Sequence, residues 1–219
     1  MSLPTRTRLT PEQRRHQLLD LGVRLLADRS LDELSIDMLA EEAGISRGLL
    51  YHYFGNKQDF HRAVVRRAAD DLIAQTAPPA GGDPVARLLA SMAAYVDYVD
   101  ANYEGYLSLV TGAAGGNEAI REIYQEASAA LTDRIFEEDQ ETLVPDTAMT
   151  RLVVRGWAAM VEKLVLDWKA EPGEVTKDDL IALVTAALPA LVGIVVPVPD
   201  GLDLPTPGPT GGAGPDAGR

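Results

Sequence analysis

The sequence predicts an all-α protein: an N-terminal three-helix helix-turn-helix unit followed by a larger helical unit. Three observations predict this. Apolar residues recur at three- and four-residue spacing along most of the chain, and no stretch alternates convincingly enough to be a strand. Helix starts are marked by an oxygen-bearing cap followed by proline, at Thr10-Pro11 and again at Asp83-Pro84. Residues 35–57 read as two short helices joined by a tight turn at Gly44.

Residues 1–9 look like a flexible basic arm carrying Arg6 and Arg8. Thr10 then caps the first helix, and Gln13 closes a capping box. Leu18, Leu21, Gly22, Leu25 and Leu26 form its apolar face, and it should stop near residues 28–30. Ser35 caps the second helix, with Ile36, Leu39, Ala40 and Ala43 inward. Gly44 permits the left-handed turn, and Ile45 plugs the corner. Ser46 caps the third helix, in which Leu50, Tyr53 and Phe54 turn inward. A fourth helix runs from Lys57 to about residue 75. Residues 10–66 are expected to form the helix-turn-helix unit and residues 67–196 the larger helical unit. In the latter, helices are expected at about 84–101, 103–112, 117–139, 147–170 and 177–195. From Pro197 onward twelve of twenty-three residues are Pro or Gly, so 197–219 is expected to be a disordered tail.

The 219 residues are 46% apolar, enough for a full core. There is no cysteine, hence no disulfide framework and no thiolate metal site. The apolar runs look short of the ~20 residues that span a bilayer, and the N-terminus lacks an apolar signal core. The expectation is a cytoplasmic protein with no membrane partner. The net charge of −13 argues against nucleic acid until it is divided. Residues 1–67 hold eleven basic against nine acidic side chains; residues 68–219 hold nine against twenty-four. An acidic body with a locally basic head can still dock on DNA.

Within the head, the third helix turns Arg47, Leu49, Tyr51 and His52 outward, which suits a helix lying in a major groove. Arg47 has the fork for guanine O6 and N7, or for a phosphate. Leu49 offers an apolar contact to a thymine methyl. Tyr51, His52 and Lys57 reach toward phosphates, and Ser35 sits where a helix N-terminus binds one. A helical hairpin that never touches DNA shares the same spacing, but exposed Leu49, Tyr51 and His52 would make a poor surface for it. Asp37 does not fit, since phosphate would repel it.

The run Leu39-Ala40-x-x-Ala43-Gly44-Ile45-Ser46-x-Gly48-x-Leu50-Tyr51-x-x-Phe54-x-x-Lys57 resembles the TetR family of bacterial transcription regulators. The resemblance covers roughly residues 10–66. It implies a homodimer that binds a near-palindromic double-stranded operator, acts as a repressor, and lets go when a small, largely apolar effector binds. It places Tyr51 and Lys57 on the DNA backbone and Arg47, Gly48, Leu49 and His52 where bases are read; Ser35 and Ser46 complete the expected contact set.

Five of the seven tyrosines lie between residues 95 and 124. Tyrosine joins an apolar ring to one polar handle, which suits a ligand cavity. Tyr95, Tyr98, Tyr103, Tyr106, Tyr124, Met92, Trp157, Met160 and Trp168 are the candidate lining, the alternative being that the rings fill core. Two apolar stripes suggest a dimer surface built as a four-helix bundle: Leu152, Gly156, Ala159 and Leu164 on one helix, Leu180, Leu183, Val184, Ala187, Leu188 and Leu191 on the next. The alternative is an internal core stripe.

Enzyme chemistry finds no support. The histidines are His16, His52 and His61, and no Ser/His/Asp set or phosphate loop is present. Glu118, Glu122 and Glu126 share a face but lack the Glu-x-x-His of a di-metal bundle, so they read as a solvated face. No cofactor or metal is expected. Open alternatives are a ligand-independent or architectural DNA-binding protein and a helical ligand- or partner-binding protein without DNA contact.

Overall fold

Each helix begins where a side-chain oxygen can take up a free backbone N–H. The computed structural model describes residues 10–137 and 144–196, and these form nine helices and no strand. They are α1 (Pro11–Leu26), α2 (Ile36–Ala43), α3 (Arg47–Phe54), α4 (Lys57–Gln75), α5 (Pro84–Ala101), α6 (Tyr103–Ala114), α7 (Glu118–Glu137), α8 (Ala148–Ala170) and α9 (Lys177–Val195). Thr10 and Gln13 close the expected capping box on α1. Ser35 Oγ accepts from Met38 N, Ser46 Oγ from Leu49 N and Asp83 Oδ1 from Ala86 N. The expected basic arm, the last residues of the helix expected over 117–139 and the expected tail lie outside the described residues.

α1, α2, α3 and the first half of α4 enclose one core, made of Leu18, Leu19, Leu26, Leu34, Ile36, Leu39, Ala40, Leu50, Phe54, Phe60 and Val64. Gly44 adopts φ 63° and ψ 36°, the left-handed cap that turns α2 into α3, and Ile45 N donates to Ala40 O at 3.0 Å. His61 Nε2, donating to Leu34 O at 2.6 Å, pins the loop before α2 to α4.

α4 runs without a break across residues 66–67 and leaves this core for a second. Val65 and Ala69 pack with Leu109 of α6 and Ile120, Ile123 and Ala127 of α7. At its end Leu72 joins the third and largest core, between α5, α8 and α9.

α9 has one face in that core: Leu180, Ile181, Val184, Leu188 and Val192 are buried. With a mean hydropathy of 1.9 over its best window, it is long and apolar enough by length and composition to cross a bilayer, with little of that window buried. Counting uninterrupted apolar runs misses this, because Thr185, Pro189 and Gly193 interrupt the run, while the charges gather at the start of α9.

Gly22 marks the tightest crossing of α1 and α4. A Cβ there would stand 2.7 Å from Val64 Cγ2, on a side chain with no exposure. Gly22→Ala gains about 1 kcal/mol of helix propensity. It also forces a stiff β-branched side chain aside, at about 1–3 kcal/mol. Thermal unfolding should therefore show a lower Tm; a raised Tm would mean that α1 and α4 separate freely.

Candidate nucleic-acid interface and effector cavity

α3 is held by two residues and offers the rest. Leu50 and Phe54 are buried and Tyr53 is half-buried, while Ser46, Arg47, Gly48, Leu49, Tyr51 and His52 are exposed. Leu49 is 37% and Tyr51 49% exposed, unusual for apolar rings and chains in a packed head. A Cβ at Gly48 would meet nothing within 4 Å. Nothing inside the chain therefore requires glycine there, at a cost of about 1 kcal/mol in a helix. Lys57 is exposed at the start of α4, its Nζ donating to Asp32 O at 3.3 Å. Ser35 and Ser46 each spend a lone pair on their cap, which leaves the hydroxyl hydrogen available outward.

Asp37, the misfit, has a local explanation. Arg47 Nε stands 2.6 Å from Asp37 Oδ1 in an ion pair between two exposed side chains. The pair joins the first turns of α2 and α3, and an acid in a first turn also suits the helix dipole. Exposed pairs contribute only about 0–1 kcal/mol, so stability does not account for it.

A cavity of about 590 Å³ opens between α5, α7 and α8, in the range of small-molecule sites. Met92, Tyr95, Tyr106, Tyr124 and Trp157 line it, as expected. Four expected residues do not. Tyr98 turns toward α4, its hydroxyl donating to Ala68 O at 2.8 Å. Trp168 Nε1 donates to Val175 O at 2.9 Å, near the loop before α9. Met160 packs half-buried on the third core outside the lining, and Tyr103, half-buried at the start of α6, is also outside it. Glu162, Ser91 and Arg155 line the cavity and were missed. The signal was present on α8, where Arg155, Ala158 and Glu162 follow a three- and four-residue spacing. Burial pushes the Tyr95 and Tyr106 phenols up.

The expected dimer stripes also divide. Leu180, Val184 and Leu188 are buried within the chain, where they pack with α5 and α8, and cannot meet a partner. Leu164, Ala187 and Leu191 are half-buried against the same core. Leu152, Gly156, Ala159 and Leu183 are exposed, and Met149 and Ile194 join them.

Two family models match the chain: bacterial regulatory proteins of the tetR family over residues 18–64, and the tetracyclin repressor-like C-terminal domain over residues 84–190. A tetR-family transcriptional regulator from Streptomyces coelicolor superposes with a TM-score of 0.74 at 34% identity, covering 86% of this chain and 85% of that one. The chain belongs to the TetR family. It is a DNA-binding transcriptional regulator. The transcriptional activator FasR of Mycolicibacterium smegmatis is 24% identical over 176 residues, 80% of each chain. The regulator BetI of Burkholderia thailandensis is 38% identical over 89 residues, which are 39% of this chain and 46% of that protein. These relatives are regulators rather than enzymes. Among the described residues no three His, Asp or Glu side chains are placed to hold a metal. Glu118, Glu122 and Glu126 are exposed, Glu118 paired with Arg121 and Glu126 with Arg66.

For a TetR-family head of this geometry, Arg47→Ala should cost about 1–3 kcal/mol at one operator base pair. Asp37→Asn should narrow discrimination at that same pair while leaving Tm nearly unchanged. Binding to a panel of single-base operator variants tests both; a loss at a different position for Asp37→Asn would show that the pair does not position Arg47.

Proposed function

We propose that this TetR-family chain is a homodimeric repressor that grips a near-palindromic double-stranded operator and releases it when a small molecule fills the cavity. Residues 10–66 would bind DNA and residues 67–196 would sense the effector and dimerise. In this reading α3 enters the major groove. Arg47, Gly48, Leu49 and His52 face base edges, and Ser35, Ser46, Tyr51 and Lys57 hold phosphates. Two half-sites about 34–36 Å apart need two heads. The exposed face of α8 and α9 is the proposed dimer surface, with Gly156 and Ala159 allowing close approach. A Cβ at Gly156 would meet nothing within 4 Å in the chain itself, so its small size has no internal cause.

The observation that carries the coupling is the course of α6. Tyr106 stands in the cavity wall. Its neighbour Gly105 lies so close to the end of α1 that a Cβ would stand 2.8 Å from Leu26 O. One turn on, Ser108 Oγ accepts from Leu31 N of the head at 3.0 Å. A guest that displaces Tyr106 therefore pushes on the head through α6, and α4 serves as the lever that tilts with it. Ligand action is then a population shift between two head spacings. A second reading, activation, is favoured by the relative named as an activator over 80% of both chains. A reporter behind the native promoter, with and without the gene, separates the two by the sign of the change.

Gly105→Ala should lower operator affinity of the ligand-free protein by about tenfold, or about 1.4 kcal/mol, with dimerisation intact. Lowered Tm with unchanged operator affinity would make the contact structural only. Leu183→Glu puts a charge on a side chain that is 56% exposed and should yield monomers in sedimentation, because an unpaired charge in an interface is costly. A dimer of undiminished strength would place the interface elsewhere. Lys57→Ala should reduce the slope of log affinity against log salt by about 0.9, and Tyr51→Ala, which removes a neutral donor, should lower affinity at every salt concentration with the slope kept; both should spare sequence preference. A parental slope for Lys57→Ala, or parental affinity for Tyr51→Ala, would remove that residue from the phosphate contacts.

A further inference from the structure

The inner end of the cavity holds a chain of hydrogen bonds whose direction follows from counting hydrogens. Tyr106 Oη lies 3.0 Å from Glu162 Oε2, and Tyr124 Oη lies 3.0 Å from Glu162 Oε1. A carboxylate only accepts, so both phenols donate to it. The Tyr106 hydrogen is then spent, and Tyr95 Oη, 2.7 Å away, must donate to Tyr106 Oη. Burial raises the Tyr95 and Tyr106 phenols away from ionisation, so these hydrogens stay in place. Every phenolic hydrogen of the cluster is thus turned toward the protein. A guest meets lone pairs only, on the carboxylate and on the phenol oxygens.

Both Glu162 carboxylate oxygens are taken up by phenols, Oε2 by Tyr106 and Oε1 by Tyr124. The basic side chains of the cavity sit elsewhere. Arg155 lies two turns before Glu162 on α8, about 10 Å away by helical rise. Arg87 and Arg134 stand at the opposite end, with Arg87 Nε donating to Pro79 O at 3.0 Å and Arg134 Nη2 to Ile73 O at 2.8 Å. Along α5 the lining runs from Pro84 to Tyr95, and along α7 from Tyr124 to Ile135, so the slot is about 16 Å long. Its middle is apolar, with Leu88, Met92 and Leu131 among the walls. One turn from Tyr95, Ser91 belongs to the lining, with its Oγ buried and without a hydrogen-bond partner.

We propose that the effector bears a protonated amine or similar cationic nitrogen. It seats against Glu162 and the phenol oxygens, its apolar body lying along the α5–α7 slot. This rests on the reading of the cavity as the effector site. An anion would face a carboxylate and phenols that present only lone pairs. A neutral alcohol can donate one hydrogen but gains no charge attraction. A cation gains both, and the rings of Tyr95, Tyr106, Tyr124 and Trp157 add aromatic faces that attract positive charge.

The test compares n-decylamine, 1-decanol and decanoate, which share one apolar body and differ in the head group. The full-length chain has two tryptophans, and Trp168→Phe leaves Trp157, in the cavity wall, as the fluorescent reporter. Decylamine should bind about tenfold or more tighter than decanol, and decanoate weaker than either. Glu162→Gln, nearly equal in shape, should erase the amine preference by weakening decylamine far more than decanol. The three-probe comparison on the parent protein stands even if that variant fails to fold. Decanoate binding as tightly as decylamine, or an amine preference that survives Glu162→Gln, overturns the assignment while the cavity remains an effector site. If none of the three changes Trp157 fluorescence up to its solubility limit, the effector reading itself falls, and this assignment with it.

Discussion

The structure depends on α4 being one unbroken helix that contributes to three separate cores. Phe60 and Val64 complete the head, Val65 and Ala69 fill the space under α6 and α7, and Leu72 reaches the core of α5, α8 and α9. Interiors packed at this density transmit displacement rather than absorb it. A tilt of α4 that suits one core must disturb another. Ion pairs cluster near the changeover: Arg66 with Glu126, and Arg67 with Asp20 at 3.0 Å and Asp71 at 3.3 Å. Being largely exposed they add little stability; they tie α4 to α7 and α1 at the point where its allegiance changes.

The acidic body and the more basic head have complementary uses. Charge excess on residues 68–219 keeps that part away from a polyanion, so approach to DNA favours the head. Inside the head the Asp37–Arg47 pair repeats the theme at short range. Under the proposed docking, one acid beside Arg47 discourages a loose electrostatic grip on phosphate.

Local features were legible in the sequence because their causes are local. The caps at Thr10, Ser35, Ser46 and Asp83 act over three residues, and the turn at Gly44 needs only its own backbone. The inward set Leu50, Tyr53 and Phe54 followed from helical period. Facing was harder. Tyr95 and Tyr98 differ by three residues, so they point only about 60° apart, yet one enters the cavity and the other binds Ala68 O. α9 is apolar nearly all round, so period alone did not separate buried Leu180, Val184 and Leu188 from exposed Leu183. Nothing in the sequence around Glu162 sets it apart from a solvated acid on a long helix; the packing of α6 and α7 brings Tyr106 and Tyr124 to it. Asp37 seemed out of place because its partner stands ten residues on, across a turn.

The exposed stripe of Met149, Leu152, Leu183 and Ile194 has a consequence beyond geometry. A regulator that covers such a stripe only with a second copy of itself makes its active form a bimolecular product. Its supply then rises with the square of chain number while chains are scarce. With the proposed dimer as the active form, a cell that halves the amount of this protein would lose much more than half of its grip on the promoter, which converts a gradual change in synthesis or degradation into a threshold.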